Sequence, residues 1–309
     1  MKYADIGLIF VLFLGIYACD RDEVFEKEQY KNVFALISGS SNVSTKYHKL
    51  GEESTGYIAA SCGGTNPTQK DIVVNLVEDV SLVDNYNTTN YDVDITRYAR
   101  LLPRDKYDID SYQLTIPAGA IGGRLPIRIR PDGLCPDSTY LVALRVDSHS
   151  TYEVNPDKNI VLYSVKIKNY WAQGDGSTIY SMKGKIREKD ATAEIEVPGT
   201  VTMFPLGERK VRMMAGNETY ESDIAVFNKG AIVLDIDSIT NKVTISPYMS
   251  IAVHQIDGDS NYPNIFKIED DGYNTYKTFL LYYDYTVGNT TYEIKEELRL
   301  EFDEEDEVD

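Results

Sequence analysis

The chain has 309 residues, a formal net charge of −18, 42% hydrophobic residues and 24 tyrosines. That length suits about two domains, and the hydrophobic share is that of a protein with a real core. The acidic balance repels phosphate backbones, which argues against nucleic acid as a partner. Tyrosine at this abundance favours strands and wet recognition surfaces.

In chain order, Lys2 precedes an apolar run from Ile6 to Ala18. The run is short for a membrane span and suits the hydrophobic region of a signal peptide. It ends in Ile16-Tyr17-Ala18-Cys19, which resembles a bacterial lipobox, so residues 1–18 read as a lipoprotein signal peptide and Cys19 as the lipidated residue. Residues 19–29 read as an acidic linker. Their start, Asp20-Arg21-Asp22-Glu23, resembles the surface-export signal of Bacteroidota lipoproteins.

Asn32–Ile37, Gly56–Ser61 and Asp71–Val77 read as strands, and the polar stretch Ser38–Gly51 as a loop. Ser81–Tyr86 and Ile95–Leu102 each suit one or two helical turns, the second stopped by Pro103. Three segments then alternate with period two: Tyr112, Leu114, Ile116; Leu125, Ile127, Ile129; and Tyr140, Val142, Leu144, Val146. Alternation places each set on one face of a half-buried strand. The gaps hold Pro117-Ala118-Gly119, Gly122-Gly123 and Pro131-Asp132-Gly133, all turn chemistry. Strands this close are expected to be antiparallel neighbours in a β-sandwich. Asn159–Lys168 closes this unit, which spans 30–168.

Cys62 and Cys135 are the remaining cysteines. Export to an oxidising compartment makes them a candidate disulfide, with two buried or half-buried thiols as the alternative. His48, His149 and His254 are far apart and no second cysteine lies near the first, so no metal site is expected.

The strand VFALISG, then LVDNYN, ARLLPRDKYDID, RLPIRIRPDGL and STYLVALRVDS, resemble a Bacteroidota lipoprotein domain. Domains of this kind precede the catalytic module in some family 18 endo-glycosidases and occur in non-catalytic lipoproteins of glycan-utilisation loci. The resemblance implies an Ig-like β-sandwich and carries over no catalytic residue.

Residues 169–178 contain two glycines, an Asp and a Ser, and read as a hinge. They hold the single tryptophan, Trp171. It suits either packing between domains or a sugar-stacking platform. Residues 179–302 are again rich in strand patterns, among them Ile224–Phe227. The last two strands place Phe279, Leu281, Tyr283 and Tyr285 on one face, then Ile294, Glu296, Leu298 and Leu300 after Gly288-Asn289, as a long hairpin with one wet face. The YSMKGKIRE opening and the closing hairpin resemble the all-β C-terminal domain often paired with the first. Roughly ten strands either close into a lipocalin-like antiparallel β-barrel or stack as a second sandwich. Residues 303–309 are an acidic tail.

Asp257-Gly258-Asp259-Ser260-Asn261 resembles the start of a calcium loop. Tyr262 stands where an EF-hand wants Gly, and Ile268 where it wants a bidentate Glu, so a turn is expected. The stretch Asn261–Tyr276 sets Tyr262, Tyr273 and Tyr276 among Asp and Asn. With Trp171, these are the candidate glycan contacts. A plain polar loop is the alternative. The sequence has no nucleophile elbow, His-Glu-x-x-His helix or phosphate-cradling loop. The Asp series in Leu234–Ile239 lacks the closing Glu of a family 18 enzyme. No enzymatic activity and no cofactor are therefore expected.

The expectation is an all-β, two-domain, non-catalytic lipoprotein. It would be anchored in outer-membrane lipid, face the cell exterior and bind a glycan, oligosaccharide or polysaccharide, beside an importer whose proteins are further partners. A surface scaffold without sugar binding and an unrecognised glycoside hydrolase are the alternatives.

Overall fold

The computed structural model describes residues 30–219 and 223–303. The signal peptide, Cys19, the acidic linker and the tail beyond Asp303 lie outside the described residues. Eleven strands precede residue 169: β1 (Val33–Leu36), β2 (Val43–Lys49), β3 (Ser54–Gly63), β4 (Ile72–Glu78), β5 (Arg100–Leu101), β6 (Tyr107–Asp108), β7 (Gln113–Ile116), β8 (Gly122–Ile129), β9 (Tyr140–His149), β10 (Glu153–Val154) and β11 (Ile160–Lys168). They form a five-stranded sheet, β10-β1-β3-β8-β6, and a six-stranded sheet, β2-β11-β9-β4-β7 with β5 on β9. The alternating apolar residues point inward from both. Phe34, Ile58, Ile72, Leu114, Ile127, Leu144 and Tyr163 meet in one core, which is sandwich packing.

The three alternating segments are strands, but they are not neighbours in one sheet. β7 pairs with β4, β8 with β3 and β6, and β9 with β4 and β11. Period-two alternation reports which face is buried, not which strand lies alongside. A helix, α1 (Ser81–Tyr91), is longer than the turns expected. Its Val83 packs with Leu141, Ala143 and Leu162 on the outer side of the second sheet, so β9 is buried on both faces.

Ser38–Gly51 is not all loop. β2 lies within it, parallel to β11 from Val43↔Leu162 to Lys49↔Lys168. It is a polar strand at the sheet edge with one buried residue, His48, and so carries no apolar alternation.

Cys62 and Cys135 are free thiols. Cys62 lies eight residues along β3 from Ser54, about 27 Å at strand rise. Cys135 follows a turn fastened near the Ser54 end, where Gly51 N donates to Asp132 Oδ1 at 2.8 Å. A disulfide needs Cα atoms within about 7 Å.

Ten strands follow: β12 (Ile179–Glu188), β13 (Ile195–Thr202), β14 (Phe204–Gly207), β15 (Lys210–Met214), β16 (Ala231–Ile236), β17 (Val243–Pro247), β18 (Ala252–Gln255), β19 (Ile265–Asp270), β20 (Thr275–Val287) and β21 (Thr290–Phe302). One sheet runs β13-β12-β21-β20-β18 with β19 on β20; the other runs β14-β15-β16-β17. Among the described residues, one isolated bridge, Lys242↔Ile265, joins the two. They curve as halves of an open barrel around Tyr180, Met213, Leu234, Phe279 and Tyr283, so of the two expected forms this is the sandwich-like one. β20 and β21 pair without a slip from Val287↔Thr290 to Thr275↔Phe302. Gly288 at their turn takes φ +62°, which glycine accepts at no steric cost.

Two further expectations change. Ile224–Gly230 is a helix, α2, capped by the Asp223 carboxylate accepting from Ala225 N at 2.7 Å. And β19 lies inside the stretch Asn261–Tyr276.

The stretch 169–178 is fastened to both sides. Asn169 Oδ1 accepts from Trp171 N and Ala172 N, and its Nδ2 donates to Gly207 O and Lys210 O, all within 3.0 Å. Tyr47 OH, from the first domain, donates to Asp175 Oδ2 at 2.5 Å. A second fastening is ionic. Arg212 on β15 is 1% exposed and forks onto Asp137 of the first domain at 2.8 and 2.5 Å. Phe227, Tyr248 and Phe204 surround its guanidinium, with ring centroids at 4.1, 4.7 and 5.2 Å.

Candidate functional site

A cleft of about 940 Å³ lies between the two domains. Edge strand β2 and the outward residues of β3 form one wall. Alternation buries Gly56 and Ile58 and turns Tyr57 out, while Tyr47 stands out from β2 beside buried His48. Tyr47 and Tyr57 are 38% and 45% exposed. Burial, then the bond to Asp175, pushes the Tyr47 phenol up to about 12, so it stays a donor across ordinary pH. Asn169–Gln173 makes the floor, and the start of β20 with the end of β21 brings Lys277, Glu301 and Phe302 to the far wall.

Lys277 is 3% exposed although it carries an ammonium. Its Nζ lies 3.9 Å above the Tyr170 ring and 4.7 Å from that of Phe302, and donates to Tyr170 O at 2.5 Å. Aromatic faces and a carbonyl replace its water. Lys46, Lys49, Lys168 and Lys277 line the cleft with Glu52, Glu301 and Asp303, so its wall charges nearly cancel in a strongly acidic chain.

His48 also lines the cleft, but its ring is occupied: Nδ1 lies 2.6 Å from Ser54 Oγ and Nε2 3.0 Å from Tyr163 OH. Burial, then Lys168, lowers it to about 4. It is a neutral structural group. The carboxyl that burial pushes furthest, Glu296 at about 8, lies in the second core, accepting from Tyr283 OH at 2.8 Å. It is 0% exposed and not part of the cleft.

The expected glycan contacts do not converge. Trp171 is at the cleft floor but only 8% exposed, packed edge-on against Tyr170 and Phe266 at 5.4 and 5.6 Å. Its ring faces are covered, so it is not a stacking platform. Its indole Nε1–H, buried, has no protein partner. Tyr273 is 95% exposed at the β19–β20 turn. Tyr276 lies on the outer face of β20 with Arg299 4.0 Å over its ring. Tyr262 follows a turn in which Asp259 Oδ1 accepts from Asn261 N and Tyr262 N, the turn expected in place of a calcium loop.

Tyr47, Tyr57, Tyr170 and Phe302 were missed by the sequence reading. One signal was available: Val43, Thr45 and Tyr47 are strand formers at alternate positions.

Comparison with known proteins agrees with the fold. Residues 25–153 match a family model of an N-terminal domain, and residues 159–299 a family model of a C-terminal domain. A Bacteroides ovatus protein of unknown function superposes with TM-score 0.62 at 16% identity, covering 88% of this chain and 95% of that one. A second from the same organism gives 0.58 at 19% identity, over 91% and 93%. A Bacteroides thetaiotaomicron protein named as an auxiliary nutrient binding protein gives 0.57 at 16% identity, over 85% and 92%. At these identities the likeness is one of fold. No curated protein matches the sequence.

Proposed function

The chain belongs to the two-domain family that these N- and C-terminal models describe, and from that premise we propose that it is a non-catalytic glycan-binding lipoprotein of the outer cell surface. The observation that carries this reading is the cleft: a concave site with exposed Tyr47 and Tyr57 rings at its rim and polar side chains along its walls. Sugar rings present apolar C–H faces to aromatic rings. Their hydroxyls bond to polar side chains, here Gln173, Lys49 and Glu301 of the cleft lining. The nutrient-binding name carried by one protein of this fold supports the same reading.

The Ile16–Cys19 lipobox supports lipid anchoring in the outer membrane, where an importer would take up what the cleft captures. Each buried acyl CH₂ contributes about 0.8 kcal/mol, and two or more chains hold a protein stably. Cys19→Ala should move the protein from the membrane fraction to the soluble one. Unchanged fractionation rejects the anchor.

Residues 20–309 on a glycan array test the binding. Tyr57→Ala should weaken the best ligand by about 2 kcal/mol in calorimetry, as loss of an aromatic anchor does. A folded protein that binds no glycan overturns this reading and leaves the surface scaffold in its place.

A further inference from the structure

Resting on that reading, we infer that the cleft is only one end of the glycan path, and that the path continues along the outer face of the β20–β21 sheet, so that the ligand is a long uncharged chain and not a short oligosaccharide. Tyr276 is the cross-strand partner of Glu301, a residue of the cleft wall. Alternation along β20 turns Tyr276 and Tyr282 to the same outer face. They are six residues apart, about 20 Å at strand rise. Tyr262 belongs to the turn of the β18–β19 loop that Asp259 fixes, and Asp259 is tied at 2.8 Å to Lys295, the cross-strand partner of Tyr282. Three tyrosines thus form a stripe that leaves the cleft at Glu301.

The rings are held in place. Arg299 lies 4.0 Å over Tyr276 and Lys295 4.7 Å over Tyr282. Lys295 pairs with Asp259 at 2.8 Å, and Arg299 lies 3.8 Å from Glu269, a carboxylate it shares with Lys267 at 2.6 Å. Tyr282 OH donates to Glu293, which also receives Arg187 at 2.8 Å. Fixed side chains cost little entropy on binding. Glu293, Lys295, Glu297, Arg299 and Glu301 alternate in sign along β21, and the exposed Lys183 and Lys185 of β12 stand across from Glu297 and Lys295, so the face is close to charge balance and has little net attraction for an anionic polymer. The aliphatic residues beside the stripe, Ile265 and Leu280, are half-buried, and Ile179 of β12 stands exposed among polar neighbours, unlike the contiguous apolar centre of a protein interface. Continuity with the cleft, a tyrosine stripe and balanced charge fit a neutral sugar chain.

The test is calorimetry of residues 20–309 with size-graded oligosaccharides, from disaccharide to octasaccharide, of β-1,4-galactan, xylan and α-1,6-mannan, and with oligogalacturonides as the anionic series. For one neutral series, affinity should rise roughly tenfold beyond the length that fills the cleft, as adding an anchor residue does. Tyr276→Ala and Tyr282→Ala should remove that gain and leave the shortest ligands unchanged, and Tyr276→Phe should restore it. Affinity independent of length, equal loss at every length in folded Tyr276→Ala and Tyr282→Ala, or the same gain in the anionic series overturns the inference while cleft binding stands. No binding at any length overturns the cleft reading together with it.

Discussion

The two domains solve burial differently. The first core is largely apolar, with buried His48 hydrogen-bonded to its Tyr163. The second admits Glu296, and Lys277 and Arg212 are buried where it meets the first domain. A buried charge is costly unless paired and hydrogen-bonded. Lys277 and Arg212 meet that condition through the junction: Tyr170 O of the connecting stretch for one, Asp137 of the first domain for the other. The first domain closes its core from within. The second places two of its buried cations against what precedes it.

The sharpest way to break this comparison is to remove the shared ion pair. Arg212→Ala leaves Asp137 facing an emptied aromatic box. Truncating one partner of a buried pair costs about 3–5 kcal/mol, and the lower end applies because Asp137 is a quarter exposed. Urea unfolding should show that loss. Residues 169–178 should resist protease in the parent and be cut in the variant. Arg128→Ala provides the contrast. Arg128 also forks onto an aspartate, Asp110, at 2.6 Å, but both side chains are well exposed, so stability should barely change. Equal effects from the two variants would refute the junction argument.

Glu296 gives the next largest effect, set by pH. Burial raises its carboxyl from 4.5 to about 8. Between those values the unfolded chain releases the proton and the folded one keeps it. The contribution is therefore complete below 4.5, falls as pH rises, and levels off above 8. The limit is about 1.4 kcal/mol per pH unit. Hydrogen exchange in β20 and β21 should quicken from pH 5 to 8, after correction for intrinsic rates, and Glu296→Gln should flatten the trend. An unchanged trend in that variant would place the titrating group elsewhere.

Strand faces were legible in the sequence, and the pairing of distant residues was not. Tyr283, Tyr285, Ile294 and Leu298 are all 0% exposed, as alternation predicts. The same register puts Glu296 inward, against its polarity. β2 escaped because an edge strand needs no apolar face, and with it went Tyr47 and one wall of the cleft. Arg212 and Asp137 are 75 residues apart, and periodicity cannot select such a pair. At 169–178 composition suggests a free linker, yet Asn169 bonds the carbonyls of Gly207 and Lys210 and Asp175 accepts from Tyr47 of the first domain, contacts that composition does not encode. At Trp171 the first of the two readings holds, its ring packed against Tyr170 and Phe266.

The smallest effect reverses the sign of the second and belongs to the first domain. His48 is 3% exposed, and burial lowers it from 6.5 to about 4. Below 6.5 the unfolded chain takes up a proton that the folded chain refuses until about 4. The contribution is present above 6.5 and is lost as pH falls through that window, over fewer pH units than for Glu296. Exchange in β2 and β11 should therefore quicken in acid while that in β20 and β21 slows. Tyr163→Phe removes the hydroxyl beside Nε2 and should cost about 1 kcal/mol at neutral pH, with the acid trend kept. His48→Gln should abolish the trend. If both domains instead weaken in the same direction, the contrast between a self-contained core and one holding a protonated acid is wrong, since only opposite titrations produce opposite slopes in one chain.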